Sequence, residues 1–258
     1  MERGIGVRHR WLHRWRHHWL TVVAVLGGCA ADSGDEGMLI LKNVRADTMC
    51  MLTSPSETET FVSEGRLDSR LDLEVPSEYL FIAQVKSRVT ALTGQEDQRK
   101  IIMTDAKIDL TFPNSKLFDA TELANFRTTG VTHFKQLFSA PLAPNGGLTD
   151  VGFVLIPSST MAALSPKVNT SQPPMLEVVA TFTIEGDMSG ETVVSQPFTY
   201  PITIGRGVSV NVPDPPGCPL TKGTTVRTGY ACNPVQDGIV DCCMKSTGLL
   251  QCPASVAM

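Results

Sequence analysis

Leu176-Glu177-Val178-Val179-Ala180-Thr181-Phe182-Thr183-Ile184 decides the fold. Leu176, Val178, Ala180, Phe182 and Ile184 fall on one side of an extended chain, with Glu177, Thr181 and Thr183 on the other. A period of two built from β-branched and aromatic residues is a half-buried strand. The same alternation recurs in Phe198, Tyr200, Ile202 and Ile204, in Ile108-Asp109-Leu110-Thr111-Phe112, and in Leu71-Asp72-Leu73-Glu74-Val75. From Tyr79 to Val89 it places Tyr79, Phe81, Ala83, Val85 and Val89 on an inner face and turns Gln84, Lys86 and Arg88 outward. Pro113-Asn114-Ser115 and Pro144-Asn145-Gly146-Gly147 break these runs, and Glu185 to Glu191 predicts a hairpin connection. Helical signal is thin. Ser158 to Leu164 predicts a short, Ser-capped helix after the strand Val151 to Ile156, and Ala120 to Asn125 predicts another turn. Many short strands and few helices predict a mainly β protein, an antiparallel β-sandwich over residues 38–212. Val212-Pro213-Asp214-Pro215-Pro216-Gly217 then breaks the pattern, and residues 213–258 read as a small disulfide-rich C-terminal extension.

The chain opens on a basic segment with Arg3, Arg8, Arg10, Arg14 and Arg16 among His9, His13, His17 and His18. Trp19 to Leu26 follows, apolar apart from Thr21 and far short of the roughly 17–25 residues that a membrane-spanning helix needs. Basic, then apolar, then small residues is the order of a secretory signal. Leu26-Gly27-Gly28-Cys29 resembles the lipobox of bacterial lipoproteins. That resemblance implies a signal peptide over residues 1–28, cleavage before Cys29, a thioether-linked diacylglycerol on its sulfur, an N-acyl chain such as palmitate, and a tether over residues 29–37. Two or more acyl chains hold a protein on a membrane stably where one does not. The alternative is a conventional secretory signal whose Cys29 joins a disulfide.

Without the leader, 17 Lys and Arg face 25 Asp and Glu, a net charge of −8, because five Arg and one Glu lie before Cys29. Such a surface argues against nucleic acid as a partner. Setting Cys29 aside leaves an even set: Cys50, Cys218, Cys232, Cys242, Cys243 and Cys252. In an oxidising compartment six cysteines predict three disulfides, with about 15 possible connectivities. Cys242 and Cys243 are neighbours and should take different partners, since a bond between them is strained. If all six pair, Cys50 must reach the tail and clamp it onto the sandwich.

Little catalytic chemistry is visible. His133 is the one histidine after Cys29 and reads as a strand residue in a structural role, so no catalytic residue is assigned. Asp72 and Glu74 read as a solvated pair, and Asp237-Gly238-Ile239-Val240-Asp241 lacks the ligand spacing of a calcium loop. The cysteine spacing is wrong for zinc. No metal and no cofactor are expected.

Gly65-Arg66-Leu67-Asp68, Glu78-Tyr79-Leu80, Ser195-Gln196-Pro197-Phe198-Thr199-Tyr200-Pro201-Ile202 and the tail from Cys232 to Cys243 together resemble the uncharacterised lipoproteins abundant in myxobacteria. A cysteine expected soon after the Phe-x-x-Pro-Ile strand is missing from Gly205-Arg206-Gly207-Val208, so no pairing scheme carries over. The resemblance implies a lipid-anchored protein of the cell envelope. Ala30 in place of Asp leans toward the outer membrane, by similarity to the sorting rule of enteric bacteria. Two function classes follow: a structural or protein-interaction lipoprotein with an envelope protein as partner, or a binding module for a polysaccharide or small ligand. Exposed aromatic rings would separate them, since sugars need rings to stack on.

Overall fold

The computed structural model describes residues 37–52, 55, 60–73, 77–90, 99–113, 116–213, 218–220 and 226–253. Cys29, the signal and most of the tether lie outside them, as do Glu74 and Val75. The elements run β1 (Met38–Val44), β2 (Phe61–Val62), β3 (Gly65–Asp68), β4 (Tyr79–Ser87), β5 (Ile101–Thr111), α1 (Ala120–Thr128), β6 (His133–Leu142), β7 (Leu148–Ile156) and α2 (Ser158–Val168). Then come β8 (Met175–Met188), β9 (Glu191–Val194), β10 (Phe198–Gly205), β11 (Val210–Asn211), β12 (Val240–Asp241), β13 (Cys243–Met244) and β14 (Leu250–Gln251).

The protein is mainly β. One sheet has the order β2-β1-β4-β7 and the other β3-β10-β8-β5-β6, with β9 added to the end of β8. Pairing is antiparallel except where β3 lies parallel to β10 and β11 parallel to β12. The inner faces meet through rings. Phe81 on β4 sits edge-on to Phe182 on β8 at 5.0 Å and to Tyr200 on β10 at 5.0 Å. Phe153 on β7 stacks on Phe138 of β6 at 5.7 Å. The alternation read from the sequence for β8 is the observed one, with Leu176, Val178, Ala180, Phe182 and Ile184 all buried. The predicted hairpin turns at Ser189 and Gly190, both with positive φ, as a tight two-residue β-turn requires.

Four local readings are corrected. Leu71 to Leu73 forms no regular strand: only Leu73 bridges Leu250, and Leu71 is exposed. The chain leaves the sheet once Asp68 is buried, its carboxylate accepting from the backbone N–H of Ser209, Val210 and Arg70. The second helix is capped at Pro157 and not by a serine side chain; it starts because proline fixes the φ of the entry residue. The first is longer than a turn, held by an Asp119–Glu122 capping box. Gln84 does not face solvent. It is fully buried, its amide donating to Asp150 Oδ1 on the neighbouring β7.

That region joins the core. Val235, Val240, Cys242 and Leu250 pack in the same hydrophobic cluster as the two sheets, and Tyr230 packs with Val44, Ala46 and Ile82 on the outer side. The six cysteines form Cys50–Cys232, Cys218–Cys243 and Cys242–Cys252. Neighbouring residues of an extended chain project to opposite sides, so Cys242 and Cys243 reach different partners without strain.

Candidate functional site

The junction between the sandwich and the C-terminal region holds the densest polar chemistry of the described residues. It begins with an irregularity in β1. The register against β4 shifts between Ile40 and Lys42, so Leu41 is an extra residue and Asn43, opposite the inward Ala83, points inside. A β-bulge re-aims the side chains that follow it. Asn43 Nδ2 donates to the Tyr200 hydroxyl at 3.0 Å, while its Oδ1 accepts from Ile82 N at 3.1 Å. The Tyr79 and Tyr200 hydroxyls are 3.0 Å apart, and Tyr79 donates to Asp237 Oδ2 at 2.6 Å. With the Tyr79 proton used on Asp237, the bond between the phenols must be donated by Tyr200. The result is a one-directional chain from Asn43 through Tyr200 and Tyr79 to Asp237. The other Asp237 oxygen accepts from Arg66 N at 2.8 Å.

Burial dominates the electrostatics. It raises the Asp237 carboxyl above its ordinary range against the pull of these hydrogen bonds, and pushes the Tyr200 phenol up to about 12 and that of Tyr79 further. Both phenols keep their protons at neutral pH, and their hydrogen bonds tie β4 and β10 to Asp237 of the C-terminal region. Beside it, Gln236 accepts from Leu80 N at 2.8 Å and donates to Leu80 O at 2.9 Å, as a neighbouring strand would.

Two clefts flank this seam. One, of about 310 Å³, lies between β1–β2 and the N-terminal half of β10, ahead of its pairing with β3, lined by Leu41, Asn43, Phe61, Phe198 and Tyr200 among others. The other, of about 270 Å³, lies between residues 45–48 and 228–231 beside the Cys50–Cys232 bond. In the second, the Tyr230 hydroxyl accepts from Ala46 N at 3.1 Å, and the Arg45 guanidinium lies over the Tyr230 ring at 5.6 Å. Asp47 Oδ1 accepts from both Met49 N and Met51 N at 2.8 Å and so fixes the turn that carries Cys50. Gly229 has a φ of +72°, and a Cβ there would meet the Pro234 carbonyl oxygen at 2.2 Å. Gly229→Ala is expected to unseat the cleft wall and lower the thermal midpoint by several degrees.

A carboxylate outside the clefts has the opposite electrostatics to Asp237. The Arg227 guanidinium holds Asp241 well below the usual carboxylate range, helped by Arg227 N and Asn211. A depressed folded pKa contributes stability above the unfolded value of about 3.9 and loses it as pH falls through the folded one. A raised folded pKa, as at Asp237, lowers stability as pH rises past the unfolded value. Urea midpoints from pH 7 to pH 2 should therefore show the deficit of Asp241→Asn closing toward acid. The difference between wild type and Asp237→Asn should move in wild type's favour over the same range.

His133 lies on the exposed face of β6, its Nδ1 2.7 Å from Asp109 Oδ1, with Arg127 3.4 Å from the same oxygen. No serine, threonine or cysteine side chain is bonded to its ring among the described residues. His133→Gln is expected to leave the melting curve within about 0.5 kcal/mol of wild type, as for surface changes generally. Among the described residues no group of three His, Cys, Asp or Glu is placed to hold a metal ion, and no helix is long and apolar enough to cross a membrane.

Of the residues singled out from sequence, the structure brings Cys50, Cys232 and Asp237 to this junction and leaves His133 and Asp72 away from it. Sequence reasoning missed Asn43, Arg45, Tyr230 and Gln236. Cys50, isolated far upstream of its partners, was the one signal that the segment around residue 47 meets the tail.

No family model matches the chain, and no curated protein does. A solved structure described as "Crystal structure of protein from Archaeoglobus fulgidus" is similar over 52% of this chain and 89% of its own, at 11% identity and a TM-score of 0.32. That is too distant to carry an argument about fold or function.

Proposed function

We propose that the chain is a lipid-anchored protein of the bacterial cell envelope, similar to the myxobacterial lipoproteins, and that it works by binding and not by catalysis. The observation that carries this reading is Leu26-Gly27-Gly28-Cys29 at the end of a leader too short to span a bilayer. Three disulfides in the body behind it fit an oxidising compartment. The partner is an envelope protein, with a small ligand as the second reading, favoured by the cleft beside Cys50–Cys232. A polysaccharide is disfavoured, because Tyr79, Tyr200 and Tyr230 are all buried and Phe61 is the one largely exposed ring among the described residues. Ala30 after the cysteine supports the outer membrane as the destination.

Cys29→Ser tests the anchor. Mass spectrometry and membrane fractionation should find an uncleaved, unacylated precursor. Processing and membrane retention equal to wild type would remove the reading.

A further inference from the structure

We propose that the cleft between residues 45–48 and 228–231 is a binding site for a carboxylate carried on an apolar residue, as at the C-terminus of a polypeptide. The inference rests on the binding reading above but not on the lipid anchor.

The cleft is held rigid without regular secondary structure. Neither wall belongs to a sheet beyond single bridges, yet Cys50–Cys232 and the bond from Ala46 N to the Tyr230 hydroxyl tie the walls together, while the Asp47 turn and the close approach of Gly229 to Pro234 fix each wall internally. Fixing groups before a ligand arrives removes the ordering cost from binding. Cys50 itself is held at a φ of +56°, where a residue with a side chain is uncommon.

Within this frame stands Arg45. Its guanidinium has no carboxylate partner among the described residues and rests on the Tyr230 ring. The ring holds the guanidinium at the cleft wall, where its fork of donors can meet a bidentate acceptor. Thr48 and Thr228 line the same space with hydroxyl groups.

Charge selects between anions. Asp47 lines the cleft, and the buried Asp237 lies close enough to feel the Arg45 charge. One cation against two neighbouring carboxyl groups suits a monoanion and disfavours a phosphate dianion. Met49 and Met51 lie in the Asp47 turn, next in sequence to the lining residue Thr48, and are 64% and 60% exposed, offering flexible apolar surface to the residue that carries the carboxylate.

The test is a titration of the purified full chain with N-acetyl-leucine and with N-acetyl-leucinamide, followed by NMR on the Arg45 side-chain N–H. Saturable shifts with the acid in the millimolar range, and binding of the amide at least roughly tenfold weaker, are expected for a charge-assisted pair. Arg45→Gln should abolish the response and Arg45→Lys should weaken it, since lysine keeps the charge and loses the fork. Arg45 is exposed, so both variants should keep the wild-type melting curve and all three disulfides. Equal binding of acid and amide, or unchanged binding by Arg45→Gln, would overturn the site. Displacement of the acid by equimolar inorganic phosphate would overturn the choice of carboxylate. Cys29→Ser should bind the acid as wild type does, which separates this result from the fate of the anchor.

Discussion

Replacing Cys50 and Cys232 together by serine is expected to cost about 5 kcal/mol, the largest effect of any single cross-link. The bond closes a loop with a sequence separation of 182. In the chain-entropy account, a loop of that length takes about 5 kcal/mol of freedom from the unfolded chain, before any correction for residual structure. Cys242–Cys252, with a separation of 10, takes about 2.7 kcal/mol on the same account. A domain of ordinary stability has about 5–15 kcal/mol in all, so the clamp variant should be marginal where the Cys242→Ser/Cys252→Ser variant stays folded. Urea unfolding without reductant checks this. The clamp variant should also show a steeper dependence on urea, since its unfolded chain exposes more surface. Equal losses from the two pairs would mean that the tail is held by packing and the Tyr79–Asp237 seam alone.

Phe81→Ala is expected to cost about 3–5 kcal/mol. Phe81 is fully buried on β4, and its ring touches Phe153, Phe182, Phe198 and Tyr200, so it bridges both sheets at once. Those neighbours sit on strands fixed by their own ladders and cannot all move in to fill the hole. The comparison is Leu137→Ala on β6. Leu137 is as apolar but 79% exposed, and its loss should stay within about 0.5 kcal/mol. Chemical denaturation of both variants distinguishes a core built on the ring cluster from one built on strand pairing.

Much of this architecture is legible in the amino-acid order, for a physical reason. Where one sheet face meets the core and the other meets water, every second residue must change character. Leu176 to Ile184 and Phe198 to Ile204 obey that rule and could be placed by eye. Gln84 shows where it stops. Alternation says which residues share a face, but not what else will bury it: Ile82 on the same face packs against Tyr230, and Gln84 is buried with its amide on Asp150. The bulge at Leu41 was equally hidden. Ile40-Leu41-Lys42-Asn43 contains no glycine or proline to mark an inserted residue, and the shift exists only relative to β4. The seam could not be read for the same reason. Tyr79, Tyr200 and Asp237 come from three distant stretches, and each has an unremarkable local sequence. Cys50 was different because cysteine carries its partner requirement with it.

The Cys50–Cys232 pairing also bears on the order in which the molecule can be made. A chain appears from its N-terminus, and Cys218 is the next cysteine after Cys50. Both sheets, from β1 to β10, are therefore complete before Cys50 meets any downstream thiol, and mispairing within the sandwich has no material to work with. The one earlier cysteine is Cys29, and acylation of its sulfur would withdraw that competitor as well. Oxidation then comes last, on a body already assembled, and acts as a seal on the finished fold.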